Sequence, residues 1–254
     1  MNFPSWKNTE SPSSLYANQN TLKLFQQLTI HLRYSRYSLL NKPSLGIVGG
    51  RNASAAGRVF AREISRDLEK AGIVISWRLA RGIDTAAHDG ALDSGTIVVV
   101  AGGIDIVYPR RNGALYEKIV QSGTVISEQP FGISPTARHF PRRNRLISGL
   151  SFGVLDVEPA LPSGLLITAR MALEQDREVF SVLDSPRDPR HKGTNGLLRD
   201  GAILTETAQE IISQISKMLK TVAASQEFAK LLPETTKNIS KTETAEAHDE
   251  VMNY

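Results

Sequence analysis

Between residues 43 and 213 short apolar runs alternate with stretches of helical period, and this alternation limits the fold more than any other feature of the chain. Residues 45–49, 73–76, 97–101, 124–127, 153–157 and 178–182 are brief runs rich in Val and Ile. Residues 56–71, 83–94, 115–122, 144–150 and 166–175 carry the spacing of amphipathic helices. In the first of these, Val59, Phe60, Ile64 and Leu68 share one face, and Gly72 stops the helix. Strand–helix–strand units cross over right-handed and place their strands parallel. The expectation is an α/β fold with a mainly parallel sheet flanked by helices. Ligands of such sheets sit beyond the carboxyl ends of the strands. Glycines cluster there: Gly49-Gly50, Gly82, Gly102-Gly103 and Gly164. Glycine lets a backbone approach phosphate closely, although tight turns need it anyway.

The flanks read differently. Residues 1–42 form a polar extension with one possible short helix at about 22–32. Residues 43–220 form the domain, and residues 221–254 read as a linker or disordered tail rich in Thr, Glu, Lys and Ala. A chain of 254 residues, 41% hydrophobic, suits one sizeable core. No cysteine is present, which excludes disulfides, thiolate catalysis and cysteine zinc sites. No apolar run approaches the roughly 20 residues of a membrane span. Met1–Asn20 lacks an apolar signal core, so a cytoplasmic location without a membrane partner is expected. A net charge of +4 biases the chain mildly toward anionic partners.

Residues 138–151 carry the strongest chemical signal. Arg138, Arg142, Arg143 and Arg145 surround Phe140. Guanidinium forks match phosphate oxygens, and an aromatic face stacks a base. Pro141 biases Phe140 toward an extended backbone. This combination suits an unpaired strand better than a duplex. The plainer reading is a solvated basic turn before a helix. Neither Gly-x-Gly-x-x-Gly nor a P-loop is present.

Ordered motifs then point to one family. They are Ile-Val-Gly-Gly-Arg-Asn-Ala-Ser (47–54), Leu-Ala-Arg-Gly-Ile-Asp-Thr-Ala-Ala-His (79–88) and Ala-Gly-Gly-Ile-Asp-Ile-Val-Tyr-Pro (101–109). Phe-Pro-Arg-Arg-Asn-Arg-Leu-Ile-Ser-Gly-Leu-Ser (140–151), Ser-Gly-Leu-Leu-Ile-Thr-Ala-Arg (163–170) and Gly-Thr-Asn-Gly-Leu-Leu-Arg-Asp-Gly-Ala (193–202) follow. Over residues 43–213 the chain resembles the bacterial DNA-processing protein A family (DprA, also called Smf). The resemblance implies an extended Rossmann-like fold, single-stranded DNA binding, and a role in natural transformation. Incoming strands would be protected and the recombinase RecA loaded onto them, by a homodimer, with no cofactor and no chemical step. It implies that Arg51 meets a phosphate and that Phe140 stacks on a base. Arg142, Arg143 and Arg145 would meet the strand backbone, with Asn144 orienting them or reaching a base edge. Ser163, Gly164 and Thr168 would line the anion pocket, and Thr194 and Asn195 would close it. For Asn144 and Thr168 the plainer role is a cap or a satisfied core hydroxyl. His88 and His139 are expected as helix-face and loop residues, and no His/Asp/Glu set has metal spacing.

Several positions depart from the family pattern. Trp77-Arg78 stands where Ser-Gly is usual, at a strand end where arginine would strain the backbone and tryptophan would narrow the pocket. Asp156 interrupts an apolar strand, Asp176 replaces a helix-ending glycine, and Leu183-Asp184 replaces Pro-Gly. The length leaves little room for further domains. A decayed member with weak DNA binding is therefore one alternative, in which restoring Ser-Gly would raise affinity or stability. Another is a Rossmann-like phosphoribohydrolase, with Glu128 and Glu158 as paired carboxylates.

Overall fold

A computed structural model describes residues 30–158, 164–183, 188 and 192–231. The chain separates into two compact units, residues 1–215 and 216–254. Strands β1 (His31–Tyr34), β2 (Ser44–Gly49), β3 (Val74–Trp77), β4 (Ile97–Val99), β5 (Thr124–Ser127), β6 (Gly153–Val157), β7 (Glu178–Ser181) and β8 (Ile203–Leu204) form the sheet. Helices α1 (Ala55–Lys70), α2 (Ile83–Gly90), α3 (Gly113–Ser122), α4 (His139–Leu150), α5 (Gly164–Glu174), α6 (Lys192–Arg199) and α7 (Ala208–Leu231) alternate with the strands. The sheet has eight strands in the order β1-β5-β4-β3-β2-β6-β7-β8. Only β1 runs antiparallel, against β5. The fold is α/β and Rossmann-like.

The order explains where a ligand can enter. From β2 the chain builds outward through β3, β4 and β5, then returns to lay β6 on the other side of β2. The order thus reverses between β2 and β6, where loops diverge beyond the strand ends and leave a crevice. Strand period two fills both faces of the central strands. Ile97 and Val99 face a core shared with Trp77, Val154, Leu146, Ile147 and Ala169. Val98 faces the opposite core with Leu115, Tyr116, Ile119 and Val125.

The structure extends or corrects the local reading. Within the polar extension, β1 and a 3-10 turn at Tyr37–Asn41 are ordered, and β1 adds an edge to the sheet. Residues 31–32, expected as helix, are strand, while 22–29 lie outside the described residues. Helix α7 runs to Leu231, past the boundary expected at 220. Helix α4 begins at His139, ahead of the start at residue 144 that its apolar spacing implied. Phe140 is consequently helical and not extended. Pro141 lies in the first turn, where an N–H has no helical partner to lose. Asp176 does occupy the left-handed region, with φ 55°, just beyond α5. The amide of Arg177 then closes onto Ala172 O at 2.8 Å, which is how a helix end of this kind is satisfied.

Candidate nucleic-acid interface

A cavity of about 680 Å³ opens at the carboxyl ends of β2, β3 and β4. Three loops make its floor and walls: Gly49–Arg51 after β2, Arg78–Arg81 after β3, and Val100–Gly102 after β4. The start of α4 closes the side, through Phe140, Pro141, Arg143 and Asn144. The loops meet because Gly82 permits it. Its φ is 84°, and a Cβ there would lie 2.2 Å from Gly50 O. Ile83 N can then donate to that same carbonyl at 3.3 Å.

The cavity is lined by the guanidinium-bearing residues Arg51, Arg78, Arg81, Arg111 and Arg143, with no acidic residue among the described residues that line it. At its mouth Tyr108 and Phe140 meet with ring centroids 5.9 Å apart and planes tilted by 44°. Tyr108 is 55% exposed. Among the described residues there is no cluster of His, Asp or Glu able to hold a metal. No helix among them is long and apolar enough to cross a membrane.

The expected residues separate into two groups. Arg51, Phe140, Arg143 and Asn144 line the cavity. Arg51 is exposed, whereas Arg143 is only 6% exposed and lies deep in the wall. Arg143 Nε donates to Asn144 Oδ1 at 3.0 Å and Nη1 donates to Val99 O at 2.8 Å. Burial, and then repulsion from Arg78, push the Arg143 guanidinium down to about 9; Asp84 opposes the shift and Arg51 adds to it. Asn144 Nδ2 donates in turn to Thr168 Oγ1 at 3.0 Å. Thr168 is fully buried on α5 and absent from the cavity lining, so its hydroxyl is a core partner of Asn144.

Other expected residues lie elsewhere. Arg142 is exposed and outside the cavity lining. Arg145 is ion-paired with Glu128, because α4 turns it toward the end of β5. Thr194 and Asn195 sit on α6 and do not line the cavity. Gly164 begins α5, and Ser163 lies outside the described residues, as does Asp184. His139 is the first residue of α4, not a loop residue. Glu128 and Glu158 do not act as a pair. Glu128 holds Arg145, and Glu158 accepts from Ser54 N at 2.8 Å and also binds the Ser54 hydroxyl. Glu158 thus places a carboxylate at the N-terminus of α1, so that helix end is already occupied by an anion of the chain itself.

Trp77 and Arg78 contradict the view that they damage the site. Arg78 is not among the described residues with positive φ, so the backbone strain expected there is absent. Trp77 is fully buried and outside the cavity lining; it sits over Gly46, where a Cβ would be 2.9 Å from the indole ring. The indole fills the core without narrowing the pocket. Arg78 Nε donates to Asp84 Oδ2 at 2.7 Å, with the side chains 12% and 0% exposed. His88 Nε2, one helical turn after Asp84, donates to Arg78 O at 2.9 Å. Helix α2 therefore grips Arg78 by its side chain and its carbonyl at once. Arg81, Arg111 and Tyr108 were also missed as site residues. Arg81 and Tyr108 stand inside the motifs quoted above, just past strand ends, and that position was the available signal.

A profile of the family described as DNA recombination-mediator protein A matches residues 16–216. Protein Smf of Escherichia coli is 42% identical over 179 residues, which are 69% of this chain and 48% of that protein. DNA processing protein DprA of Bacillus subtilis is 40% identical over 181 residues, 70% of this chain and 61% of that protein. The chain thus spans about half to three-fifths of these relatives' length. The solved DNA processing protein A of Streptococcus pneumoniae superposes with a TM-score of 0.75 at 33% identity, over 83% of this chain and 75% of that one. DNA processing protein A of Helicobacter pylori, solved to describe its single-stranded DNA binding mode, superposes at 0.69 with 29% identity, over 74% of this chain and 86% of that one.

Proposed function

Because this chain belongs to the DNA recombination-mediator protein A family, we propose that it binds single-stranded DNA in the arginine-lined cavity and acts without a chemical step. The observation that carries this reading is the meeting of those arginines with two aromatic rings at one mouth. Guanidinia take phosphates; exposed rings take bases that are already unpaired. A duplex hides those faces in its own stack. The single-stranded DNA binding of the Helicobacter pylori relative supports the assignment. In this reading Arg51 and Arg143 contact phosphates and Phe140 stacks. The protein acts in the cytoplasm in DNA uptake and natural transformation, as a homodimer that protects incoming strands and loads RecA. The separate engagements of Glu128 and Glu158 favour binding over glycosidic hydrolysis.

The test is a titration with single- and double-stranded oligonucleotides of equal length at two salt concentrations. Single strands bind tighter, and their affinity falls with a log–log slope of about −0.7 per phosphate neutralised. Equal affinity for the two forms sinks the stacking assignment.

A further inference from the structure

Two of the cavity's guanidinia differ from the rest in being withdrawn from solvent and incompletely used: Arg143 is buried, and the Arg78 side chain is 12% exposed. Arg78 donates through Nε to Asp84, and its guanidinium carbon lies 5.6 Å from the centre of the Trp77 ring. Its two terminal nitrogens have no hydrogen bond to protein among the described residues. Arg143 is anchored through Nε and Nη1, which leaves Nη2 without such a bond. Both residues line the cavity. Asp84 balances only one of these two charges, and Arg143 is also repelled by Arg51 at the rim. Like charges fixed side by side in a low dielectric are costly unless an anion joins them. The floor beneath them is the end of the sheet, marked by Val99 O on Arg143 and by the carboxyl end of β3 under Arg78.

From this geometry we infer that the Arg78–Arg143 floor is a subsite for a terminal phosphate, so that the protein holds a phosphorylated end of the DNA strand. This rests on the single-strand reading above. A phosphomonoester has three free oxygens and a single sugar attachment, and it carries close to −2 near neutral pH. It can present its oxygens to several donors of the fork while its sugar points outward toward Tyr108 and Phe140. An internal phosphodiester carries one charge and two free oxygens, with a sugar on either side, and so matches the two guanidinia less well. Arg78 adds the second anchored fork.

The experiment compares one single-stranded sequence in four forms: 5′-phosphorylated, 3′-phosphorylated, unphosphorylated and circular. One phosphorylated linear form binds about tenfold or more tighter than the unphosphorylated and circular forms, and which one identifies the end. In the double variant Arg78→Leu with Asp84→Asn, which removes both partners of the ion pair, the ratio of affinities between the phosphorylated and the circular form falls to about one. A melting curve checks that the variant is folded; if it is not, the comparison of the four DNA forms on the unaltered protein decides alone. Equal affinity for all four forms overturns the end subsite and leaves single-strand binding standing. Loss of binding to every form overturns the single-strand reading itself.

Discussion

Arg78 and the buried Asp84 form an ion pair, Nε to Oδ2 at 2.7 Å, between a strand end and the first turn of the following helix. The pair makes Arg78 a fixed cation of the cavity. Burial raises the Asp84 pKa, and Arg78 first and then Arg143 pull it back down. The carboxylate and the two guanidinia thus depend on one another. Removing one partner of such a pair strands the other charge, which costs about 3–5 kcal/mol.

The roles at the mouth separate by salt. Phe140→Ala weakens single-strand binding by about 1–3 kcal/mol and leaves the salt slope unchanged, because stacking releases no counterion. Arg51→Ala lowers the magnitude of the slope by about 0.7, as one phosphate contact is lost. Arg145→Ala changes the slope less than Arg51→Ala, since Glu128 already holds that guanidinium. A larger slope change for Arg145→Ala returns it to the phosphate contacts. Binding isotherms over a salt series measure all three.

Changing Trp77-Arg78 back to Ser-Gly harms the protein. The expectation from sequence was a gain in affinity or stability; the buried indole reverses it. Trp77→Ser empties a core site of zero exposure and costs about 3–5 kcal/mol, as large-to-small core changes do. Adding Arg78→Gly also strands Asp84. Thermal melts of both variants provide the check, and a melting temperature at or above that of the original chain contradicts this packing.

Asp156 makes stability fall as pH rises. It is fully buried on β6, and neither carboxylate oxygen has a hydrogen-bond partner among the described residues. Burial raises its pKa well above 3.8, against a smaller opposing pull from Arg78. The folded state therefore keeps a proton that the unfolded chain has released, and stability declines from about pH 4 upward until the folded group also ionises. Asp156→Asn removes this loss. The variant is more stable than the original at pH 7.5, and the gap narrows on acidification to pH 4. A gap independent of pH rules out the protonated carboxyl.

His88 acts in the opposite direction. Burial lowers its pKa from 6.5 to about 4, with the bond to Arg78 O opposing. The native ring is neutral where the unfolded ring is protonated. Stability is thus lost as pH falls from 6.5 to about 4, by up to about 3 kcal/mol across that window. His88→Gln abolishes this component while Asp156→Asn leaves it. Denaturant titrations between pH 4 and 7 on both variants separate the two contributions, and an unchanged acid limb in His88→Gln removes the assignment.

Much of the sheet was legible because periodicity is local. The runs at 124–127 and 153–157 match β5 and β6 residue for residue. Strand β8 has only two residues and β1 lies in polar surroundings, so neither carries a period, and pairing partners alone define them. The start of α4 was misplaced because Phe140-Pro141 reads as extended by steric rule, whereas the first turn of a helix tolerates proline.

The sequence by itself determined that strands and helices alternate, that glycine loops follow the strands, and which family the motifs resemble. Those properties follow from residue type and short-range spacing. The tertiary structure alone decided which arginines share a cavity. Arg143 and Arg145 are two residues apart on α4, yet one lines the cavity and the other pairs with Glu128, since a helix turns such neighbours to different faces. Arg51, Arg78 and Arg143 are far apart in the chain and meet because the sheet places the ends of β2, β3 and β4 side by side. Their mutual repulsion, their anchoring by Asp84 and Asn144, and the burial of Trp77 are long-range consequences of packing, which no local pattern encodes.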